Sequence, residues 1–149
     1  MNLSKQLANA ISIATNAHHD QYDRGGKPYI LHPLYLMSQC LFDLELATIA
    51  VLHDVVEDSE LTLDSLIIQG FSPRVTKALA LLTHESHDDY FTYINNMKDN
   101  YDAIRVKRKD LEHNSDITRL KGVTSKDLLR MAKYHKAFII LGKFKSKFQ

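Results

Sequence analysis

The chain has 149 residues, 44% apolar and 25% charged, with a formal net charge of +1. That excludes a disordered chain and leaves enough sequence for one domain with its own core. It also excludes a body so basic or acidic that charge alone would name a partner. With 5 Gly and 3 Pro, a turn-rich all-β fold is disfavoured and an all-helical one expected. The single Cys40 lies in an apolar helical context and reads as a core thiol without a disulfide. No run is long and apolar enough for a membrane span, and no signal-peptide block opens the chain. A cytoplasmic setting is expected.

Leu3 to Ala17 keeps a helical period, with Asn2 or Ser4 as a cap and His18 at its end. Residues 20 to 30 form a loop freed by Gly25-Gly26, and its cations Arg24 and Lys27 are candidates to contact an anionic substrate. His32-Pro33 begins the next helix. Leu44 to Val56 is a near-continuous apolar helix, which predicts a central position in a bundle. It carries His53-Asp54 and is followed by Glu57-Asp58. Thr62 and Ser72 cap two further helices, over residues 63–68 and from Pro73 through Leu82. A polar loop at residues 84–88 holds two histidines and two acids in irregular spacing. Helices are expected over 89–97, 101–120 and 125–141, the last opened by a capping box of Thr124 and Asp127. A single domain is expected over 1–149, with a basic tail at about 142–149. The tail reads as a solvated face, so no nucleic-acid partner is expected.

Charge points to one site. Between Leu41 and Asp64 stand seven acids and no Lys or Arg. Asp43, Glu45, Glu60 and Asp64 read as a solvated acidic rim, whereas a bound cation is the simplest offset for the acids beside His53. His32, His53, Asp54 and Asp110 together offer two imidazoles and two carboxylates. That set suits one borderline-hard divalent ion such as Mn²⁺, with Zn²⁺ or Fe²⁺ as alternatives. Such an ion lowers the pKa of water and orients a phosphorus centre. Glu57 and Asp58 are placed to position that water or move its proton. Lys107 and its basic neighbours read as phosphate contacts.

These residues carry a family resemblance. Pro28-Tyr29-Ile30-Leu31-His32-Pro33, His53-Asp54-Val55-Val56-Glu57-Asp58 and Asp110-Leu111-Glu112-His113-Asn114 resemble motifs of the Rel/SpoT-type HD-domain hydrolases. The similarity is greatest to their small stand-alone members that act on (p)ppGpp. It implies an HD-domain helical bundle of about seven or eight helices, with His32, His53, Asp54 and Asp110 as ligands of one Mn²⁺. It implies Glu57 and Asp58 as catalytic acids, and Asn114 and His18 as residues near the nucleotide. The family reaction removes pyrophosphate from the 3′ position. Other members remove the 2′-phosphate of NADPH, and a silent nucleotide-binding protein is a further alternative. The chain departs from the pattern at Tyr22-Asp23-Arg24, at Arg108-Lys109 and at Asp116-Ile117. The pair Arg108-Lys109 is expected to make the site more basic.

Overall fold

The computed structural model describes Met1–Gln149. It is all-α, and its one extended pairing is an isolated bridge between Tyr22 and Pro28. No helix is long and apolar enough to cross a membrane.

Helix α1 (Leu3–Ala17) is capped by Asn2, whose side chain accepts from the Lys5 N–H at 2.8 Å. After α2 (Leu31–Ser38) comes α3 (Leu44–Leu52), where every residue from Leu46 to Leu52 is buried. The other helices in contact with α3 are α1, α2, α6 (Pro73–Leu82) and α8 (Tyr101–Asn114). A helix covered on all sides has no polar face, which explains its unbroken apolar run. Each Leu or Ile buried there contributes about 2 kcal/mol.

The sequence predicts that this helix runs on to Val56. Instead it stops at Leu52, and a single turn, α4 (Val55–Asp58), restarts it. His53 and Asp54 occupy the break. The His53 ring folds back so that Nδ1 lies 2.7 Å from the Ala50 carbonyl, and Asp54 adopts φ −107°, ψ 0°. An intact helix would set the two side chains about 100° apart. The break brings His53 Nε2 within 3.0 Å of Asp54 Oδ2.

The helices α5 (Leu63–Ile68) and α7 (Tyr90–Asn95) complete the shell. The α8 helix ends at Asn114 rather than at Leu120, because the Asp116 side chain accepts from the Thr118 N–H at 3.0 Å and caps a 3₁₀ turn, Ile117–Arg119. The last helix, α9 (Ser125–Ser146), has its capping box at Thr124 and Asp127 and packs on α7 and α8. It continues through Lys143 and Lys145, and Phe148 beyond it stacks on Tyr101 at 5.0 Å.

Two of the four rim acids are in fact paired. Arg74 of α6 reaches Asp43 at 2.6 Å, Asp102 at 2.9 Å and Glu45 at 3.5 Å. It thereby ties the start of α3 to the first turn of α8. The Arg74 hydrogen bonds hold the Asp102 carboxyl below its ordinary range; at Asp43 they do so against burial. Groups depressed in the folded state stabilise it above the unfolded carboxylate pKa, and this support is lost as pH falls through their folded values. Arg74→Ala should therefore lower unfolding free energy by about 1–2 kcal/mol at neutral pH. In urea titrations the deficit should shrink once pH falls well below about 4. An equal deficit at both pH values would mean that Arg74 acts through packing alone.

Candidate metal centre

Three elements meet at one buried point. The α2 helix brings His32, the α3–α4 break brings His53 and Asp54, and α8 brings Asp110. Ligand atoms of His32, His53 and Asp110 all lie within 4.8 Å of one another, and all three residues are buried. Asp110 Oδ1 is 2.8 Å from His32 Nε2 and 3.4 Å from His53 Nε2. Asp54 joins from the other side through the 3.0 Å contact with His53.

The donor set fits a cation. His53 Nδ1 faces the Ala50 carbonyl, so this nitrogen carries the proton and Nε2 is presented to Asp54 and Asp110. That Nε2 is buried and lacks a hydrogen-bond partner. A lone pair facing two carboxylates is repelled unless a proton or a metal ion stands between them. Burial pushes the His53 pKa down, but the charges of Asp54 and Asp110 outweigh it and hold it well above the ordinary value. Burial would raise Asp54, yet His53 brings it to about 2. Asp110 is likewise held well below its usual range against burial, chiefly by Lys107 and then by His32 and His53.

The supporting shell orients each ligand. Tyr29 donates its hydroxyl to Asp54 Oδ2. Lys107 takes Asp110 Oδ2 at 2.8 Å, and Asn114 donates to Oδ1 at 2.8 Å. Asp110 thus makes an ion pair through one oxygen and offers the other to the cluster. His113 stacks on Tyr35, and its Nδ1 lies 2.7 Å from His32 Nδ1. Burial, Arg119 and His32 push His113 down to about 4, so it is neutral and can accept from His32 Nδ1–H. That leaves the His32 Nε2 lone pair for a metal.

Two cavities of about 240 Å³ flank the cluster and share Asn114 and Tyr134. The first is lined by Arg24, Tyr29, Arg119 and Arg130, among others. Its loop is closely seated: a Cβ on Gly25 would lie 2.2 Å from the Arg119 carbonyl oxygen, and Gly26 has φ +86°. The second cavity is lined by Asp54, Glu57, His84, Lys107, Asp110 and Lys133. Glu57 accepts from the His84 backbone N–H, and burial raises its pKa. Burial and the neighbouring Asp54 charge raise Asp58 as well.

Of the residues expected to meet substrate, Arg24, Lys107 and Asn114 line these cavities. His18 does not. It is buried behind Asp58, with Nδ1 2.9 Å from Gln21 and 3.8 Å from the Asp58 carboxylate. Lys27 is exposed and lines neither cavity. Arg108 and Lys109, expected to make the site more basic, line a separate cavity. They follow Lys107 around the helix, and successive 100° steps carry them off its cleft-facing side. The histidines at residues 84–88 form no second ligand cluster. Sequence reasoning missed Arg119, Arg130, Lys133 and Tyr134. The spacing of the last three on one helix face was a usable signal, whereas Arg119 depends on the 3₁₀ turn.

Comparison with solved structures decides the fold. A structure described as a metazoan ortholog of SpoT that hydrolyses ppGpp superposes with a TM-score of 0.73, covering 91% of this chain and 84% of that one, at 18% identity. The chain shares the all-helical fold of that structure. No protein-family model matches the chain. Among curated proteins it is similar to the guanosine-3′,5′-bis(diphosphate) 3′-pyrophosphohydrolase of Borreliella burgdorferi, 28% identical over 89 residues, 56% of this chain and 13% of that protein. It is also similar to the bifunctional (p)ppGpp synthase/hydrolase SpoT of Escherichia coli K12, 38% identical over 61 residues, 39% of this chain and 9% of that protein. The chain therefore spans only a small part of the length of these relatives.

The metal centre predicts a pH-linked affinity. A divalent ion must displace the His53 proton, so calorimetric titration of metal-free protein with Mn²⁺ should show affinity rising with pH and protons released. His113→Ala should weaken Mn²⁺ about tenfold by freeing the His32 ring. An affinity that ignores both changes would place the ion elsewhere.

Proposed function

We propose that the protein is a Mn²⁺-dependent phosphohydrolase that removes the 3′-pyrophosphate of (p)ppGpp, giving GDP or GTP. The observation that carries this reading is the His32–His53–Asp110 cluster. It opens beside a cavity in which Glu57 faces Lys107 and Lys133.

Each residue has a task in this reading. His32, His53, Asp54 and Asp110 hold the ion, which when bound supplies Lewis acidity and a lowered pKa for water. Glu57, held by the His84 N–H, takes a proton from the attacking water. The water oxygen bonds to the inner phosphorus of the 3′-diphosphate, the bond from that phosphorus to O3′ breaks, and O3′ receives a proton. Asp58, backed by His18, shares the proton traffic with Glu57. Lys107 and Lys133 hold the outer phosphate. Lys133 sits over the Tyr90 ring at 4.5 Å and forms no ion pair with a protein carboxylate. Arg24, Arg119 and Arg130 line the other cavity, where they suit the nucleoside and its 5′-phosphates.

The similar proteins named for this reaction support the choice of substrate. The test is product analysis on Mn²⁺-reconstituted protein given ppGpp, pppGpp, NADPH and GTP. GDP and pyrophosphate should form from ppGpp. Glu57→Gln should lower kcat by about 100-fold or more while Mn²⁺ stays bound. Phosphate release from NADPH alone would reassign the substrate, and unchanged turnover in Glu57→Gln would remove Glu57 from the chemistry.

A further inference from the structure

A cavity of about 270 Å³ away from the cleft has no part in the reaction above. Arg105, Arg108, Lys109 and Lys145 line it, with Phe42 and Tyr101 beside them. Glu112 is the only carboxylate in its lining. Arg105 is paired with Asp102 at 2.7 Å, but Asp102 is shared with Arg74. Arg108, Lys109 and Lys145 take part in none of the protein's arginine or lysine ion pairs.

Folding alone does not account for this arrangement. Four cations around one small space repel one another, and Glu112 with the Asp102 that Arg105 shares with Arg74 does not neutralise them. The arginines are also fixed rather than free to swing into water. The Arg108 guanidinium lies over the Phe138 ring at 4.0 Å, and its terminal nitrogen would sit 3.4 Å from a Cβ at Gly142. The Arg105 guanidinium lies over Tyr101 at 4.2 Å. The Nε atoms of both arginines are buried without a hydrogen-bond partner, so the donor capacity of these forks is not met within the protein. Preorganised guanidinium groups with unmet capacity suit a phosphate-type anion. The cations come from both α8 and α9, so a chain of phosphates matches their spread better than one small ion. Phe42, on the same cavity, is 75% exposed and offers a face on which a base could stack.

We propose that this cavity is a second anion site, which binds an oligophosphate chain, either free or carried by a nucleoside triphosphate. It is built from the side of α8 that turns away from Asp110, and it does not depend on the hydrolase reading.

The protein contains no tryptophan, so Phe42→Trp places a sole tryptophan at the cavity, which is excited selectively at wavelengths where the seven tyrosines do not absorb. This reporter protein is titrated at physiological salt with inorganic tripolyphosphate, GTP and orthophosphate. A saturable change is expected with tripolyphosphate and with GTP, and little with orthophosphate. Arg108→Gln/Lys145→Gln should weaken both about tenfold or more. Equal affinity for the two ligands identifies a free chain as sufficient, and tighter GTP binding identifies a nucleotide. Circular dichroism checks that the double variant folds, and Lys145→Gln alone should still weaken binding severalfold. No saturable change in the millimolar range, or binding untouched by these substitutions, would overturn the proposal.

Discussion

Two buried imidazoles, a buried carboxylate and a half-buried second one cannot crowd one point without a cation, and the rest of the fold accommodates that constraint. Asp54 and Asp110 both approach His53 Nε2, at 3.0 and 3.4 Å. Lys107 supplies one positive charge from within α8. The remaining charge is a proton on His53 or a divalent ion in its place. The cluster is therefore a switch between two cations, and the binding of a metal is inseparable from the loss of a proton. Glu57 and Asp58 stand just outside this balance. Their pKa values are raised where those of Asp54 and Asp110 are depressed, so Asp54 differs in proton affinity from its near neighbours Glu57 and Asp58.

The bundle keeps this cluster in place by making its central helix the least movable part. Helix α3 is buried on every side, and the break at its end is what aims His53 and Asp54 together. Arg74 anchors the other end of α3 to α8, the helix that carries Asp110. Helix α9 closes the cleft with Arg130, Lys133 and Tyr134, one face of a helix shared between two cavities. The same pair of helices, α8 and α9, carries the second basic cavity on a different side.

Much of this was legible in the sequence because its signals are local. Caps at Thr62, Ser72 and Thr124, the period of α1 and the apolar density of α3 are short-range properties, and they gave helices close to those observed. The buried cluster of His32, His53 and Asp110 was legible because each of these residues sits in a sequence block that resembles a motif of a known family. The direction in which a side chain points was less legible. Arg108 and Lys109 stand beside Asp110 in the chain, yet helical geometry turns them away from it. His18 is close to the Glu57-Asp58 segment but lies behind Asp58, with its ring against Gln21 and Tyr29. The break at His53 could not be read either, because it depends on a side chain bonding back to the Ala50 carbonyl in place of a regular helical turn.

Anomalous X-ray diffraction at the manganese absorption edge, on crystals grown with Mn²⁺, tests the central claim most directly. One anomalous peak per chain is expected, within coordination distance of His32 Nε2, His53 Nε2, Asp54 and Asp110. A fully ordered cluster with no peak there, or manganese bound only at other carboxylates, would contradict it.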